Sequence, residues 1–199
     1  MANTRTAYTG NETTKTALVT NYVRAKTDLG SVPVSTVTFN EFTTGNDVTT
    51  VLTLTDFIIG AIPAAAAALS VGNIVYTFPA GQHFELAYAF SNIVLTLPGT
   101  PVPDGILTLG STVGTGASAT MATTEEDRID AVVATTAAGG GTAISTVAAA
   151  TAGIGTGIAL NVAASAKTVY LNAAGTWAVN NAGNLTATGT IVLKWTRMQ

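Results

Sequence analysis

Cysteine is absent from this 199-residue chain, and histidine occurs once, at His83. The lack of cysteine excludes disulfide bonds, thiolate metal sites and cysteine nucleophiles. A single histidine needs carboxylates to complete a zinc site, and only Glu85 lies at a suitable spacing from it. We therefore expect no metal ion and no cofactor, and we place His83 on a loop or strand edge without a catalytic role.

Charged residues are also scarce: they make up 10% of the chain, whereas globular domains average about 25%. Thr, Asn, Ser and Ala must therefore cover most of the surface. Such a surface is typical of a protein that packs against copies of itself or against a large partner. A neutral, threonine-rich surface that stays soluble alone is the alternative. The net charge of −3 argues against a nucleic-acid partner.

The few charges are unevenly distributed along the chain. Residues 1–30 carry a net charge of +2, and residues 31–199 carry −5. Because residues 1–30 also lack a clear hydrophobic period, we divide the chain into an extended N-terminal arm, 1–32, and a β-sandwich domain, 33–199. An extended arm of this length reaches on the order of 100 Å, enough to contact a neighbouring subunit. The arm residues predicted to contact a partner are Arg5, Tyr8, Lys15, Tyr22, Arg24 and Lys26. A short helix over Thr14–Lys26, or a first strand within the sandwich, is the alternative.

No segment is typical of a membrane-spanning helix or of a secretory signal. Two long stretches, 57–82 and 131–166, lack charged residues. Glycine and proline interrupt the first, and small residues dominate the second, so neither has the apolar density of a spanning helix. The polar start Met1–Arg5 leads into no apolar region. We therefore expect synthesis in a cytoplasm and no membrane partner.

From about Val34 onward, apolar residues alternate with polar ones, a period of two that indicates strands with one buried face. The predicted buried side chains are Val48, Leu52 and Leu54; Ile74, Tyr76 and Phe78; Phe84, Leu86, Tyr88 and Phe90; and Gly189, Ile191, Leu193 and Trp195. Shorter strands are predicted near Val37–Phe39, Ile106–Leu109, Ile144–Val147, Ile158–Val162, Thr168–Leu171 and Trp177–Val179. This pattern predicts an all-β sandwich of about eight to ten strands.

Three kinds of local feature interrupt the strands. The apolar phase shifts from even to odd positions at Ser91–Asn92, which predicts a β-bulge or a tight corner. Pro79–Gly81 has the residue types of a hairpin turn. Two short helices are also predicted: one at Pro63–Leu69, from its proline start and alanine run, and one at 123–134, from a capping-box pattern that opens with Thr123.

No catalytic motif stands out. The acidic cluster Glu125–Asp130 lacks the alternating oxygen ligands and the glycine of a calcium loop, so we interpret it as a helix cap with a solvated acidic face. The glycine-rich segments Gly139–Gly141 and Gly153–Gly157 match no phosphate-binding fingerprint and are expected to form turns. No serine lies in a G-x-S-x-G motif. A pair of carboxylates for glycoside hydrolysis stays an alternative, because the two residues must be close in space but need not be close in sequence.

The chain from residue 73 onward contains an ordered set of short patterns. Asp104–Thr112 contains a strand that ends in Leu-Gly-Ser-Thr, and an acidic, alanine-rich segment follows it. Val169–Leu171 comes next, and Leu185–Leu193 contains Ala-Thr-Gly-Thr-Ile. In this order, residues 73–196 resemble the jelly-roll decoration or cement proteins of tailed bacteriophages. The resemblance implies a jelly-roll-like β-sandwich, a homotrimer on the capsid surface of the virion, and the major capsid protein as partner.

The sequence-based hypothesis is therefore a virion structural protein without enzymatic activity, which cements a capsid by clamping neighbouring coat subunits. The alternatives are a phage tail or receptor-binding component or a bacterial adhesin, an enzyme on a jelly-roll scaffold, and a major coat protein. An adhesin predicts exposed aromatic residues, whereas Tyr88, Phe90 and Trp195 fall on predicted buried faces. An enzyme on this scaffold needs a cluster of histidine and carboxylate ligands, and a coat protein needs a basic interior arm.

Overall fold

The computed structural model describes residues 36–64, 68–80, 83–97, 105–136, 143–147, 151–153, 159–160, 168–177 and 182–197. In these ranges the chain forms eleven β-strands and one 3₁₀ turn, Thr123–Glu125, so the predicted all-β class is confirmed. The strands are β1 (Val37–Thr44), β2 (Asp47–Ile62), β3 (Ala68–Thr77), β4 (His83–Leu97), β5 (Gly105–Gly110), β6 (Ile129–Thr136), β7 (Ala143–Val147), β8 (Thr151–Gly153), β9 (Ala159–Leu160), β10 (Thr168–Thr176) and β11 (Gly183–Arg197). No helix in this part of the chain is long and apolar enough to cross a membrane.

Antiparallel pairing arranges the strands in two sheets. The larger sheet has the order β1-β2-β11-β4-β7, and β8 and β9 also pair with β4. The smaller sheet has the order β6-β5-β10-β3, and the end of β6 joins it to β7 of the larger sheet. Phe78, next to β3, contacts Trp195 of β11 edge to face, with ring centroids 5.4 Å apart. The inner faces of the two sheets therefore pack together as a β-sandwich.

One hydrophobic core fills the space between the sheets. The alternation predicted for β2 and for the end of β11 is confirmed by burial, as is the predicted burial of two aromatic residues in the middle of β4. These buried residues are Val48, Leu52, Leu54, Tyr88, Phe90, Ile191, Leu193 and Trp195. Thr53 and Lys194, which lie between buried positions of their strands, are exposed. Each of these runs therefore has one buried and one outward face, as a side-chain period of two requires.

The bulge predicted at Ser91–Asn92 is confirmed. Two residues of β4, Asn92 and Ile93, lie opposite the single residue Gly189 of β11. Asn92 has a φ of +52° and Gly189 a φ of +147°. The extra residue moves Ile93 onto the same buried face as Phe90, so both halves of β4 contribute to the core.

The buried face predicted for Phe84 and Leu86 is wrong. Leu86 is an extra residue of β4 where that strand passes the Lys194–Trp195 step of β11, which makes a second bulge. Leu86 consequently points outward and is 48% exposed, while Phe84 is half-buried. His83 and Glu85 take the inward positions instead, and each is only 2% exposed. A bulge thus replaces two apolar side chains with two titratable ones in the interior.

A bulge also changes the phase of β3. Val75 is an extra residue where β3 passes the Val169–Tyr170 step of β10. It is buried although the alternation predicted an outward position, and Ile74 is only half-buried. The turn predicted at Pro79–Gly81 is not a hairpin, because β3 belongs to the smaller sheet and β4 to the larger one.

Both helix predictions fail in the described residues. The helix predicted for Pro63–Leu69 is contradicted at its last two residues, which begin β3, and residues 65–67 lie outside the described ranges. The helix predicted from Thr123 is limited to the 3₁₀ turn, because Ile129–Thr136 forms β6. In both segments, pairing with neighbouring strands outweighs the helix propensity of alanine.

Four of the shorter predicted strands are confirmed, by β1, β5, β7 and β10. A fifth, predicted near Ile158–Val162, contains β9. Trp177 lies just beyond β10, and residues 178–179 are outside the described ranges. The predicted arm, 1–32, lies outside them as well, together with Arg5, Tyr8, Lys15, Tyr22, Arg24 and Lys26. The same holds for Gly139–Gly141 and most of Gly153–Gly157.

Alanine substitutions test the burial of the core. Leu193→Ala and Phe90→Ala are each expected to lower the free energy of unfolding by about 2–5 kcal/mol, because each leaves a cavity in place of a buried side chain. Thr190→Ala, on the outward face of β11, is expected to cost far less. Urea unfolding measures all three values. Equal small effects at the three positions would contradict the strand phase of β4 and β11.

Candidate functional site

Four titratable side chains meet in the interior, between the two sheets. Glu85 and Tyr88 come from β4, and His83 stands at the start of that strand. Arg128 comes from the other sheet, directly before β6, and is 4% exposed. We call these four residues the buried cluster. Their burial is unusual, because charged side chains are almost never fully buried unless they are paired.

Arg128 and Glu85 form a two-point ion pair. Arg128 Nε donates to Glu85 Oε2 at 2.6 Å, and Arg128 Nη2 donates to Glu85 Oε1 at 2.8 Å. The Tyr88 hydroxyl donates to Glu85 Oε2 and accepts a hydrogen bond from Arg128 Nε at 3.0 Å. Arg128 therefore connects the smaller sheet to the larger one through a charge-assisted contact of the strong, bidentate type.

The electrostatics of Glu85 follow from two opposing causes. Burial raises the pKa of its carboxyl group, because it disfavours the charged form. The hydrogen bonds and positive charge of Arg128, with a further contribution from His83, outweigh burial and hold the pKa of Glu85 below its usual value. Glu85 is therefore a carboxylate at neutral pH, and its charge is matched by that of Arg128.

His83 is packed rather than hydrogen-bonded. Its ring stacks on Phe78 with centroids 4.2 Å apart, and Trp195 contacts it edge to face at 5.8 Å. His83 Nε2 lies 3.8 Å from Glu85 Oε1, which is beyond hydrogen-bonding distance, and neither ring nitrogen has a partner in the part of the chain that the structure describes. The predicted loop or strand-edge position is therefore wrong: this imidazole is part of the core.

The acidic segment before β6 holds Arg128 in place. Asp127 accepts hydrogen bonds from the Ser111 backbone N–H at 2.8 Å and from the Ser111 hydroxyl at 2.6 Å. The Glu125 carboxylate accepts from the Ala122 N–H at 2.8 Å, as a capping box does. Asp127 and Glu125 thus stabilise the turn before β6 through these hydrogen bonds. Within the described residues, no group of three or more His, Asp or Glu side chains is placed to hold a metal ion.

Asn172, a buried residue of β10, holds the same segment through three hydrogen bonds of its side chain. Its Oδ1 accepts from the Gly114 N–H at 2.8 Å, and its Nδ2 donates to the carbonyls of Thr112 at 3.0 Å and Glu125 at 2.8 Å. All of these contacts cross more than forty residues of sequence. The turn that carries Arg128 is therefore positioned by the tertiary structure and not by local propensity.

The outer face of the larger sheet is a second candidate site. The register of β1, β2, β11 and β4 places twelve outward residues in three rows of four. In order from β1 to β4, the rows are Thr38-Thr53-Thr190-Ser91, Asn40-Val51-Val192-Ala89 and Phe42-Thr49-Lys194-Ala87. Lys194 is the one charged side chain among the twelve. We call these twelve residues, with the adjoining Leu86, the outer face.

Two large apolar side chains lie exposed on the outer face. Phe42 is 62% exposed on the edge strand β1, and Leu86 is 48% exposed on β4. Single exposed apolar residues are common, but these two stand among mostly small side chains, with one charged residue in the three rows. Surfaces depleted in charge with an aromatic residue are typical of the central part of protein–protein interfaces.

No protein-family model, no curated protein and no solved structure matches this chain. The sites are therefore assigned from the structure itself. Sequence reasoning noted Glu85 only for its spacing from His83, predicted Leu86 to be buried, and did not single out Arg128, Lys194 or Phe42. The part of the outer face on β2 and β11 could have been found from the alternation, because Thr49, Thr53, Thr190 and Lys194 are polar-phase positions of the predicted strands. The buried cluster could not, because the bulge at Leu86 reverses that phase.

Acid sensitivity tests the state of Glu85. The folded-state pKa of Glu85 lies below the value of about 4.3 expected for an unfolded chain. Its charge therefore stabilises the fold above that value, and the stabilisation is lost as the pH falls through the folded-state pKa. We expect the difference in unfolding free energy between wild type and Glu85→Gln to shrink as the pH is lowered from about 7 to about 2. Urea titrations across this range measure it, and a difference independent of pH would contradict the charged state of Glu85.

Proposed function

We propose that this protein is a virion structural protein that decorates and stabilises the capsid of a tailed bacteriophage by clamping neighbouring coat subunits. The observation that carries the proposal is the strand order. β2-β11-β4-β7 in one sheet packs against β3-β10-β5-β6 in the other, and β1 is added at an edge. This alternation of early and late strands supports the jelly-roll interpretation, a double Greek key of eight strands that occurs in viral capsid and lectin domains.

The physical requirements of such a clamp support the proposal further. A capsid clamp needs a rigid body, because flexibility would reduce the gain from binding several coat subunits at once. The buried Arg128–Glu85 pair and the Asn172 contacts cross-link the elements of the sandwich. The clamp also needs broad surfaces with few charges to desolvate, and the outer face has one charge in three rows. Proposed partners are the major capsid protein and copies of the chain itself, without an enzymatic activity.

The proposal also assigns a role to the N-terminal arm. We propose that residues 1–32 reach from the acidic body to a neighbouring subunit and bind it through basic and tyrosine residues, namely Arg5, Tyr8, Lys15, Tyr22, Arg24 and Lys26. The local net charge of +2 against −5 for the remainder supports an electrostatic contribution to this contact.

Deletion of residues 1–26 tests the arm. We expect the truncated protein to keep its melting temperature and to bind capsids of the encoding phage weakly in a sedimentation assay. Wild-type binding is expected to weaken with added salt, because screening reduces contacts between exposed charges. A truncated protein that fails to fold would show that the segment belongs to the sandwich.

Electron microscopy of particles labelled with an antibody to this chain tests the proposed function itself. Label distributed over the capsid surface is expected. Label confined to the tail would favour the alternative of a tail or receptor-binding module, and the absence of label from particles would overturn a virion role. A second measurement compares purified capsids with and without the added protein. We expect the protein to raise the temperature at which the capsids rupture, because a decoration protein stabilises them.

A further inference from the structure

The larger sheet ends at β1, and one edge of this strand has no partner among the described strands. The Thr55 N–H donates to the Thr36 carbonyl at 2.9 Å, and these two residues continue the β1–β2 register by one pair. Because hydrogen-bonded pairs alternate in an antiparallel ladder, the odd-numbered residues of β1 direct their backbone N–H and C=O groups away from β2. These residues are Val37, Phe39, Glu41 and Thr43. Their backbone groups, which we call the free edge, can pair with a further strand.

β1 lacks the usual protection of an edge strand. Edge strands commonly avoid pairing through proline, lysine, a bulge or a short length. β1 has eight residues without proline or lysine, and its register with β2 is uninterrupted. Its one charged residue, Glu41, accepts hydrogen bonds from the hydroxyls of Tyr76 at 2.5 Å and Thr50 at 3.3 Å, so other strands hold its carboxylate. The strand at the opposite end of the order, β3, differs, because its Ser70 N–H already donates to the Gly116 carbonyl at 2.9 Å.

The N-terminal arm contains a segment suited to the free edge. Residues 1–35 precede the described part of the chain and end where β1 begins. Among them, residues 16–23 (Thr-Ala-Leu-Val-Thr-Asn-Tyr-Val) form the longest run without charge, and this run contains neither glycine nor proline. Five of its eight residues are β-branched or aromatic, the types enriched in strands. Its length equals that of β1.

We propose that residues 16–23 of one copy bind the free edge of a second copy as an additional antiparallel strand. The inference rests on the self-association contained in the proposed function and names the segment and the edge that produce it. The connection 24–36 favours exchange between copies, because hairpins within one chain use connections of about two to five residues. A connection of this length spans roughly 45 Å when extended, which is longer than β1 itself. Repetition of this contact from copy to copy closes a ring when the rotation allows it.

The equal lengths of the two segments fix the register. With their ends aligned, Leu18 lies opposite Phe42, and Thr20 lies opposite Asn40. Both pairs occupy positions that are not hydrogen-bonded to each other, because the even-numbered residues of β1 bond to β2, and side chains approach most closely at such positions. The added strand therefore covers the Phe42 side chain, which is 62% exposed, with an apolar neighbour.

Disulfide trapping tests the added strand, since the chain contains no cysteine of its own. In Thr20→Cys/Asn40→Cys the paired Cα atoms are about 4.5 Å apart, within disulfide range. Oxidation of the full chain is expected to join copies into covalent oligomers on a non-reducing gel. Thr20→Cys/Thr53→Cys is the matched control, because Thr53 is exposed on β2, one strand further away and beyond disulfide range. A disulfide formed only within one chain would overturn exchange between copies, and so would equal cross-linking of the two variants or none.

The apolar contact is tested separately by Phe42→Ser. We expect this variant to raise the dissociation constant for self-association by about fivefold, because it removes the cross-strand contact with Leu18. Leu86→Ser, at an exposed apolar position three strands away in the same sheet, is expected to leave the constant unchanged. Sedimentation velocity measures the association, and circular dichroism checks the fold. Equal effects at the two positions, or a wild-type chain that stays monomeric at micromolar concentration, would overturn the proposal.

Capsid binding by the oxidised Thr20→Cys/Asn40→Cys variant distinguishes this inference from the proposed function. Cross-linked oligomers that bind capsids of the encoding phage support both conclusions. Cross-linked oligomers without capsid binding support the inference while contradicting the proposed function. Capsid binding by a variant that forms no cross-link between copies supports the proposed function and overturns the inference.

Discussion

Replacing Arg128 with alanine is expected to lower the free energy of unfolding by about 3–5 kcal/mol. The substitution removes the partner of Glu85, which is 2% exposed, and leaves a buried carboxylate with the Tyr88 hydroxyl and no matching charge. It also removes the main side-chain link between the turn before β6 and the inner face of β4. Guanidinium or urea unfolding at neutral pH, with circular dichroism as the probe, measures the loss.

The double variant Arg128→Met/Glu85→Leu is the control for this prediction. It removes both charges and replaces them with apolar side chains, so the cost of an unpaired buried charge disappears. We expect it to be considerably more stable than Arg128→Ala alone. If Arg128→Ala loses no more stability than the double variant, the result would contradict the view that Glu85 and Arg128 form a buried pair in which each charge needs its partner.

Replacing Gly189 with alanine is expected to destabilise the fold by about 3 kcal/mol. Two costs add at this position. Its φ of +147° is a conformation that residues with a Cβ rarely adopt. A Cβ there would also lie 2.5 Å from the Asn92 carbonyl oxygen and 2.8 Å from Ile93 Cα, and these backbone atoms belong to the bulge of β4 and are fixed by its pairing.

Gly45→Ala separates the two costs. Gly45, in the turn between β1 and β2, has a φ of +62°, but a Cβ there would have no atom within 4 Å. Its substitution carries only the conformational cost, which is about 1–2 kcal/mol. Thermal and urea unfolding of the two variants provides the comparison. Equal losses at Gly45 and Gly189 would show that the bulge relaxes to accommodate the side chain.

Sequence reasoning about this protein succeeded where one strand's own pattern decides its structure. In β2 and at the end of β11, strict alternation was enough to place Val48, Leu52, Ile191 and Leu193 in the core. The same alternation located the bulge at Ser91–Asn92, because a change of phase within one strand is visible in its sequence. It failed at Leu86 and Val75, where the phase of the apolar residues continues through the bulge.

Composition and a period of two, both of them local properties, were thus enough to establish the all-β class, the outward faces of β2 and of the end of β11, and the scarcity of charge on those faces. Tertiary pairing accounts for the rest: β11 forces the extra residue at Leu86, which turns His83 and Glu85 inward. Pairing with β5 likewise converts a segment with a helix start into β6 and delivers Arg128 to Glu85 across forty-three residues of sequence. A buried ion pair of this kind depends on the position of two strands from different sheets, and neither strand's own pattern contains that information.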